Sequence, residues 1–125
     1  MMRDDELIRS LLLWIEKNGN DVSTWIEDVA VEGYSDQQID HHISLLGNSG
    51  YVIVKDLSCM DETCYRPRRL TWFGYEFAKA ICDRGVWEET LDIAEREGIE
   101  ELSALYDIAK KVAAKKQEQV VALAM

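Results

Sequence analysis

Positive charge is what this 125-residue chain has least of: 14 Lys and Arg stand against 24 Asp and Glu, a net charge of −10. No part of the chain reverses that balance. Residues 1–34 carry eight acids and three bases, 35–83 seven and five, and 84–125 nine and six. Proteins that bind polyanions draw most of their non-specific affinity from Lys and Arg that displace counterions, and this chain has little of that to offer. Long apolar runs are missing too, so no segment reads as a membrane span. The start Met1-Met2-Arg3-Asp4-Asp5-Glu6 lacks the basic-then-apolar order of a signal peptide, and a cytoplasmic protein is expected. Three cysteines, an odd count without a secretory signal, suit reduced thiols better than a disulfide framework. There is no internal repeat and no low-complexity tract. Ser-His-Asp spacing, a glycine-rich phosphate loop and recognisable catalytic carboxylate pairs are all lacking. Neither an enzyme nor a cofactor is expected.

What is present is a core. Apolar residues make up 47% of the chain, enough at this length for one packed domain. The stretch from Gly33 to Phe77 organises it. Ser35 with Gln38 three residues on reads as a capping box, and Tyr34 with Ile39 as a hydrophobic staple. Ile39, His42, Ile43 and Leu46 then share one helix face, and Gly50 stops the helix. A strand over 51–57 follows, then a polar loop Ser58–Cys64, then a return arm over 65–71. Pro67 cannot donate to a ladder, which makes that arm an edge strand. Thr71 caps a further helix through Asp83 that buries Phe73, Phe77 and Ile81. Helix, hairpin and helix in this order are the core of a winged-helix domain.

Before this stretch, residues 4–18 form a helix with an apolar stripe of Leu7, Ile8, Leu11, Leu12 and Ile15, which Trp14 joins or flanks. Residues 20–34 fit a short helix, a strand, or both in turn, and a strand over Val29-Ala30-Val31 is the favoured reading. A strand there makes the helix-turn-helix degenerate and weakens the case for DNA binding. After it, Gly85 separates off a helix with Val86, Trp87, Leu91 and Ala94, ended by Gly98. A last helix carries Leu102, Leu105, Ala109 and Val112, and frays at Lys115-Lys116-Gln117-Glu118. The expected fold class is α+β, with a winged-helix-like core over residues 1–83 and a helical extension over 84–125 in a single domain. The apolar residues from Val86 onward exceed what one small core needs, so some of these helices can pair between subunits of a homodimer.

The run Arg69-Leu70-Thr71-Trp72-Phe73-Gly74-Tyr75-Glu76-Phe77, with Trp87 after it, resembles a family of phage and prophage proteins known as domain of unknown function 2513. So do Met2-Arg3-Asp4 with Leu7-Ile8, and Gly33-Tyr34-Ser35 leading to His42-Ile43-Ser44-Leu45-Leu46. The likeness covers roughly the first ninety residues. Leu70-Thr71-x-x-Gly74 also resembles the wing-to-helix junction of winged-helix repressors. The resemblance implies a winged-helix fold and a mobile-element origin, and it brings no activity with it.

Candidate contact residues fall on the helix and the hairpin. The outer helix face reads Asp36, Gln37, Asp40, His41 and Ser44. Gln, His and Ser can read bases, but two aspartates repel a phosphate-lined groove. Arg66, Arg68 and Arg69 form the basic cluster of the hairpin, joined by Lys55. These cations can reach phosphates, or they can simply guard an edge strand against pairing. Lys110, Lys111, Lys115 and Lys116 complement the dipole of the last helix and solvate its outer face. His42 is expected to be a core histidine held by a backbone carbonyl, and His41 to be exposed. Cys59 and Cys64 do not make a zinc site with these histidines, because neighbours on a helix point about 100° apart. The leading expectation is a regulatory module that binds a host or phage protein, for instance an acidic inhibitor of a nucleic-acid-binding protein. The alternative is a transcriptional regulator that binds duplex DNA. No membrane contact is expected in either case.

Overall fold

A computed structural model describes residues 2–19, 25–60 and 62–124. They form five helices and one antiparallel hairpin, an α+β arrangement. Two compact units divide the chain, residues 1–75 and 76–125, and the division falls inside the third helix.

In the first unit, α1 (Asp5–Asn18) starts where the Asp4 carboxylate accepts the Leu7 backbone N–H at 3.1 Å. Its stripe of Leu7, Ile8, Leu11, Leu12 and Ile15 is fully buried, and Trp14 flanks it half-buried. Helix α2 (Asp36–Asn48) has both arms of the expected capping box: Gln38 N–H donates to Ser35 Oγ at 3.2 Å, and Ser35 N–H to Gln38 Oε1 at 2.9 Å. The Tyr34 hydroxyl reaches across the unit and donates to Asp4 Oδ2 at 3.0 Å.

His42 joins the two helices. Its Nδ1–H donates to Gln38 O at 2.7 Å, as a histidine satisfied by a helix carbonyl must. That tautomer leaves Nε2 as an acceptor, and the Asp4 backbone N–H fills it at 2.7 Å across 38 residues of sequence. The ring is 1% exposed. His41 is half-buried and meets His42 edge-on, so it is less exposed than its sequence position suggests.

The hairpin pairs β1 (Val52–Asp56) with β2 (Tyr65–Leu70). The register runs Val52↔Leu70 and Ile53↔Arg69, then Val54↔Pro67, so Arg68 is the extra residue of a bulge. Helix α2 lies close on this sheet: a Cβ on Gly47 would stand 2.8 Å from Val54 Cγ2. The favoured strand over Val29-Ala30-Val31 does not form, and residues 25–31 are neither strand nor helix. A backbone hydrogen bond, Ile26 N–H to Pro67 O at 2.8 Å, ties this segment to β2. Carboxylates at Glu27 and Asp28 and a turn at Glu32–Gly33 do not sustain a ladder there. Residues 20–24, the other half of that expectation, lie outside the described residues.

Helix α3 (Trp72–Ile81) is locked to the α2–β1 junction. Thr71 Oγ1 accepts the Gly74 N–H and donates to Gly50 O, while Thr71 N–H donates to Tyr51 O. Gly74 sits so near that a Cβ would fall 1.8 Å from Tyr51 O. This anchoring corrects one expectation: Phe73 is 60% exposed, although Phe77 and Ile81 are buried as expected.

In the second unit, Asp83 caps α4 (Arg84–Glu97) and also accepts a 2.8 Å ion pair from Lys116. Gly85 therefore lies in the first turn of α4 instead of ahead of it. Gly98 ends α4 in the left-handed region, at φ 66°. Helix α5 (Leu102–Ala124) buries Leu102, Leu105, Ala109 and Val112, and Tyr106 meets Phe77 edge-on at 5.4 Å. The expected fraying after Lys115 is absent, since α5 continues as helix to Ala124. Most of the apolar residues from Val86 onward are covered within the chain, and the large ones left exposed there are Val120, Val121 and Leu123.

Two substitutions test this packing. Changing His42 to Leu keeps the bulk but strands the Asp4 N–H, which costs about 1–3 kcal/mol; urea unfolding should show a loss of that size. Gly74→Ala gains about 1 kcal/mol of helix propensity, yet the Cβ displaces backbone at Tyr51. The expected net result is a lower melting temperature, read by circular dichroism.

Candidate functional site

Five of the residues expected to make contact are gathered on one side of the first unit. Asp36, Gln37, Asp40, His41 and Ser44 line a groove of about 550 Å³ between α2 and the hairpin loop, closed by Glu62, Thr63 and Tyr65. Helical spacing explains the grouping, because positions three and four apart share a face. A second hollow of about 390 Å³ adjoins it on the side of residues 27–30. There Glu27, Asp28, Asp36, Asp40 and Glu62 surround a floor that includes Ile39 and Ile43, with Arg66 the single cation in the lining.

Asp40 stands where the two hollows meet. Burial raises its carboxyl above the ordinary aspartate value of 3.8; the Arg66 guanidinium opposes this, and the Asp36 and Glu62 carboxylates reinforce it. The Tyr65 backbone N–H donates to the carboxylate and also opposes the rise. The rise wins because burial outweighs the guanidinium; the acidity of the groove rests on the carboxylates that line it, Asp36, Asp40 and Glu62.

The four hairpin cations are not gathered into one cluster. Arg66 lies toward Asp40. Arg68, on the bulge, sets its guanidinium 4.7 Å from the centre of the Trp25 ring, and the Lys55 ammonium lies 5.9 Å from the same ring. Arg69 is paired across the ladder with Ile53. The Nε atoms of Arg68 and Arg69 are buried and meet no hydrogen-bond partner among the described residues. The bulge is what separates the cations, because an extra residue re-aims the side chains on either side of it.

Sequence reading missed Glu27, Asp28 and Glu62 as partners of the α2 aspartates, since they come from segments far apart in the chain. It also missed Trp25 as the ring that gathers Lys55 and Arg68. The acid-rich composition of 27–32 was a usable signal for the first omission, and nothing local signalled the second. Among the described residues no group of three His, Cys, Asp or Glu side chains is placed to hold a metal ion. No helix among them is long and apolar enough to cross a membrane.

Compared with known proteins, residues 2–100 match the family model described as "Hypothetical protein (DUF2513)". No curated protein and no solved structure matches the chain.

Replacing Asp40 by Asn tests the electrostatics of the groove. A carboxyl whose folded value is raised binds its proton more readily folded than unfolded, so its penalty grows as pH climbs from 3.8 through the raised value. Asp40→Asn, which still offers an oxygen to the Tyr65 N–H, should melt modestly higher than wild type at neutral pH. The difference should vanish below pH 3.8 and persist in high salt, because its largest cause is burial, which salt does not screen.

Proposed function

The chain belongs to the DUF2513 family, and we propose that it is a non-catalytic binding module of winged-helix type, from a phage or prophage, that works by contact with a protein. Its acidic α2 face and hairpin loop occupy the nucleic-acid-binding surface of a basic host or phage protein, in the cytoplasm. The observation that carries this reading is the groove lining: Glu27, Asp28, Asp36, Asp40 and Glu62 against Arg66. A winged helix that reads DNA places its second helix and wing where phosphates approach. In this chain that helix presents aspartates, and two of the wing cations lie over Trp25. Complementary potential of this kind steers association with a cationic partner and disfavours nucleic acid.

The second reading is a DNA-binding transcriptional regulator. Its support is the helix-hairpin-helix order together with Gln37, His41 and Ser44 on the groove face and Lys55, Arg66, Arg68 and Arg69 on the hairpin.

One salt titration on random duplex DNA, followed by fluorescence anisotropy, separates the two. The protein-binding reading expects no affinity worth measuring at physiological salt, in the wild type or in the Arg66→Ala/Arg68→Ala/Arg69→Ala variant. The DNA reading expects micromolar binding whose salt slope flattens by up to about three units in that variant, at about 0.9 per phosphate contact. A parallel measurement uses polylysine as a basic probe. Asp36→Asn/Asp40→Asn/Glu62→Gln should weaken its binding, while Glu95→Gln/Glu97→Gln/Glu100→Gln, an equal change of charge elsewhere, should not. Equal losses in both variants would leave the groove without a role.

A further inference from the structure

We propose that Trp72, Phe73 and Tyr75 form the contact of a symmetric dimer, docking onto the same three residues of a second copy of this chain. The inference is independent of the acidic groove and survives if that surface binds nothing.

The three aromatics are 71%, 60% and 46% exposed, an unusual display for residues that dominate cores and interfaces. They are held outward by the chain itself. Thr71 bonds to both Gly50 and Tyr51, and the close approach of Gly74 to Tyr51 O fixes the rotation of the first turn of α3. Trp72 and Tyr75 already lie side by side, ring centres 6.4 Å apart. A rigid aromatic pair loses little conformational freedom when covered, which is what a binding hot spot requires.

Charge argues for a second copy as the occupant. In a chain with 30% charged residues, the segments 47–51 and 70–75 contain none, and the Thr71 bonds join them into one surface. Two copies of net charge −10 repel over most of their surfaces, and this neutral patch is where they can approach. Loss of charge with gain of aromatics is the composition of an interface centre. A covered aromatic side chain buries about 150–250 Å², so at these exposures the trio offers roughly 350 Å² per copy. With the neutral rim of Asn48, Ser49 and Gly50, a pair reaches roughly 1,000 Å², the lower bound of specific interfaces. The contact is isologous, each residue meeting its own equivalents across a two-fold axis. A reversible dimer follows, and it should strengthen with salt as self-repulsion is screened.

Sedimentation over a range from micromolar to millimolar protein tests this. The mass should rise from 14.4 kDa toward twice that value, sooner in high salt. Trp72→Ser/Tyr75→Ser, with both changes at exposed positions, should keep the thermal transition and stay monomeric throughout. If that variant does not fold, Trp72→Gln alone serves, with at least a tenfold weaker association expected. A wild type that remains at 14.4 kDa at millimolar concentration overturns the proposal. So does a dimer that persists in the aromatic variant but is lost in Val121→Glu/Leu123→Glu, which would place the contact on the α5 tail.

Discussion

Everything in the first unit depends on one imidazole ring. His42 is reached from both sides: Gln38 O accepts from Nδ1, and the Asp4 backbone N–H donates to Nε2. Asp4 is in turn the N-cap of α1 and the acceptor of the Tyr34 hydroxyl. The start of α1, the approach to α2 and the interior of α2 thus close into one network. A buried polar group is stable only when each of its hydrogen-bonding atoms is satisfied. His42 meets that condition in a single tautomer, and the two helices are held at one relative position while it does. Apolar contact between α1 and α2 alone could tolerate some sliding. The histidine cannot.

The hairpin turns that fixed frame into a surface with two characters. Gly47 lets α2 approach Val54, which puts the α2 aspartates beside the hairpin loop and Glu62. The bulge at Arg68 then aims one arginine at Trp25 and leaves Arg66 facing Asp40. A regular strand of the same composition would have alternated its cations between two faces. The outcome is an acidic concavity on one side and a cation–aromatic cluster around Trp25.

Thr71 and Gly74 do for α3 what His42 does for α1 and α2. They fix the rotation of its first turn against Gly50 and Tyr51. Phe77 turns inward to Tyr106 and Phe73 stays out. Helical periodicity had placed Phe73 with the core, because spacing of four residues is the same for both phenylalanines. They differ along the helix axis and not around it: Phe77 meets Tyr106, while Phe73, one turn earlier, is 60% exposed.

Local chemistry was legible in the sequence alone wherever the partner lies within one turn. The capping box at Ser35, the apolar stripes of α1, α2 and α5, the stop at Gly98 and the hairpin around residues 57–64 all follow from spacing and turn residues. So does the grouping of Asp36, Asp40 and Ser44 along one groove, since they are four apart. Burial of His42 was also legible, from the apolar face it shares, but its second partner at Asp4 was not. The absence of a strand at 29–31, the scattering of the hairpin arginines, the gathering of Glu27, Asp28 and Glu62, and the outward Phe73 were decided only by the tertiary structure. Each depends on an approach between segments distant in sequence, where the controlling quantity is the room left by a neighbouring backbone or ring. Residue type sets what a side chain can do, and the neighbour that packs against it sets which of those options remains.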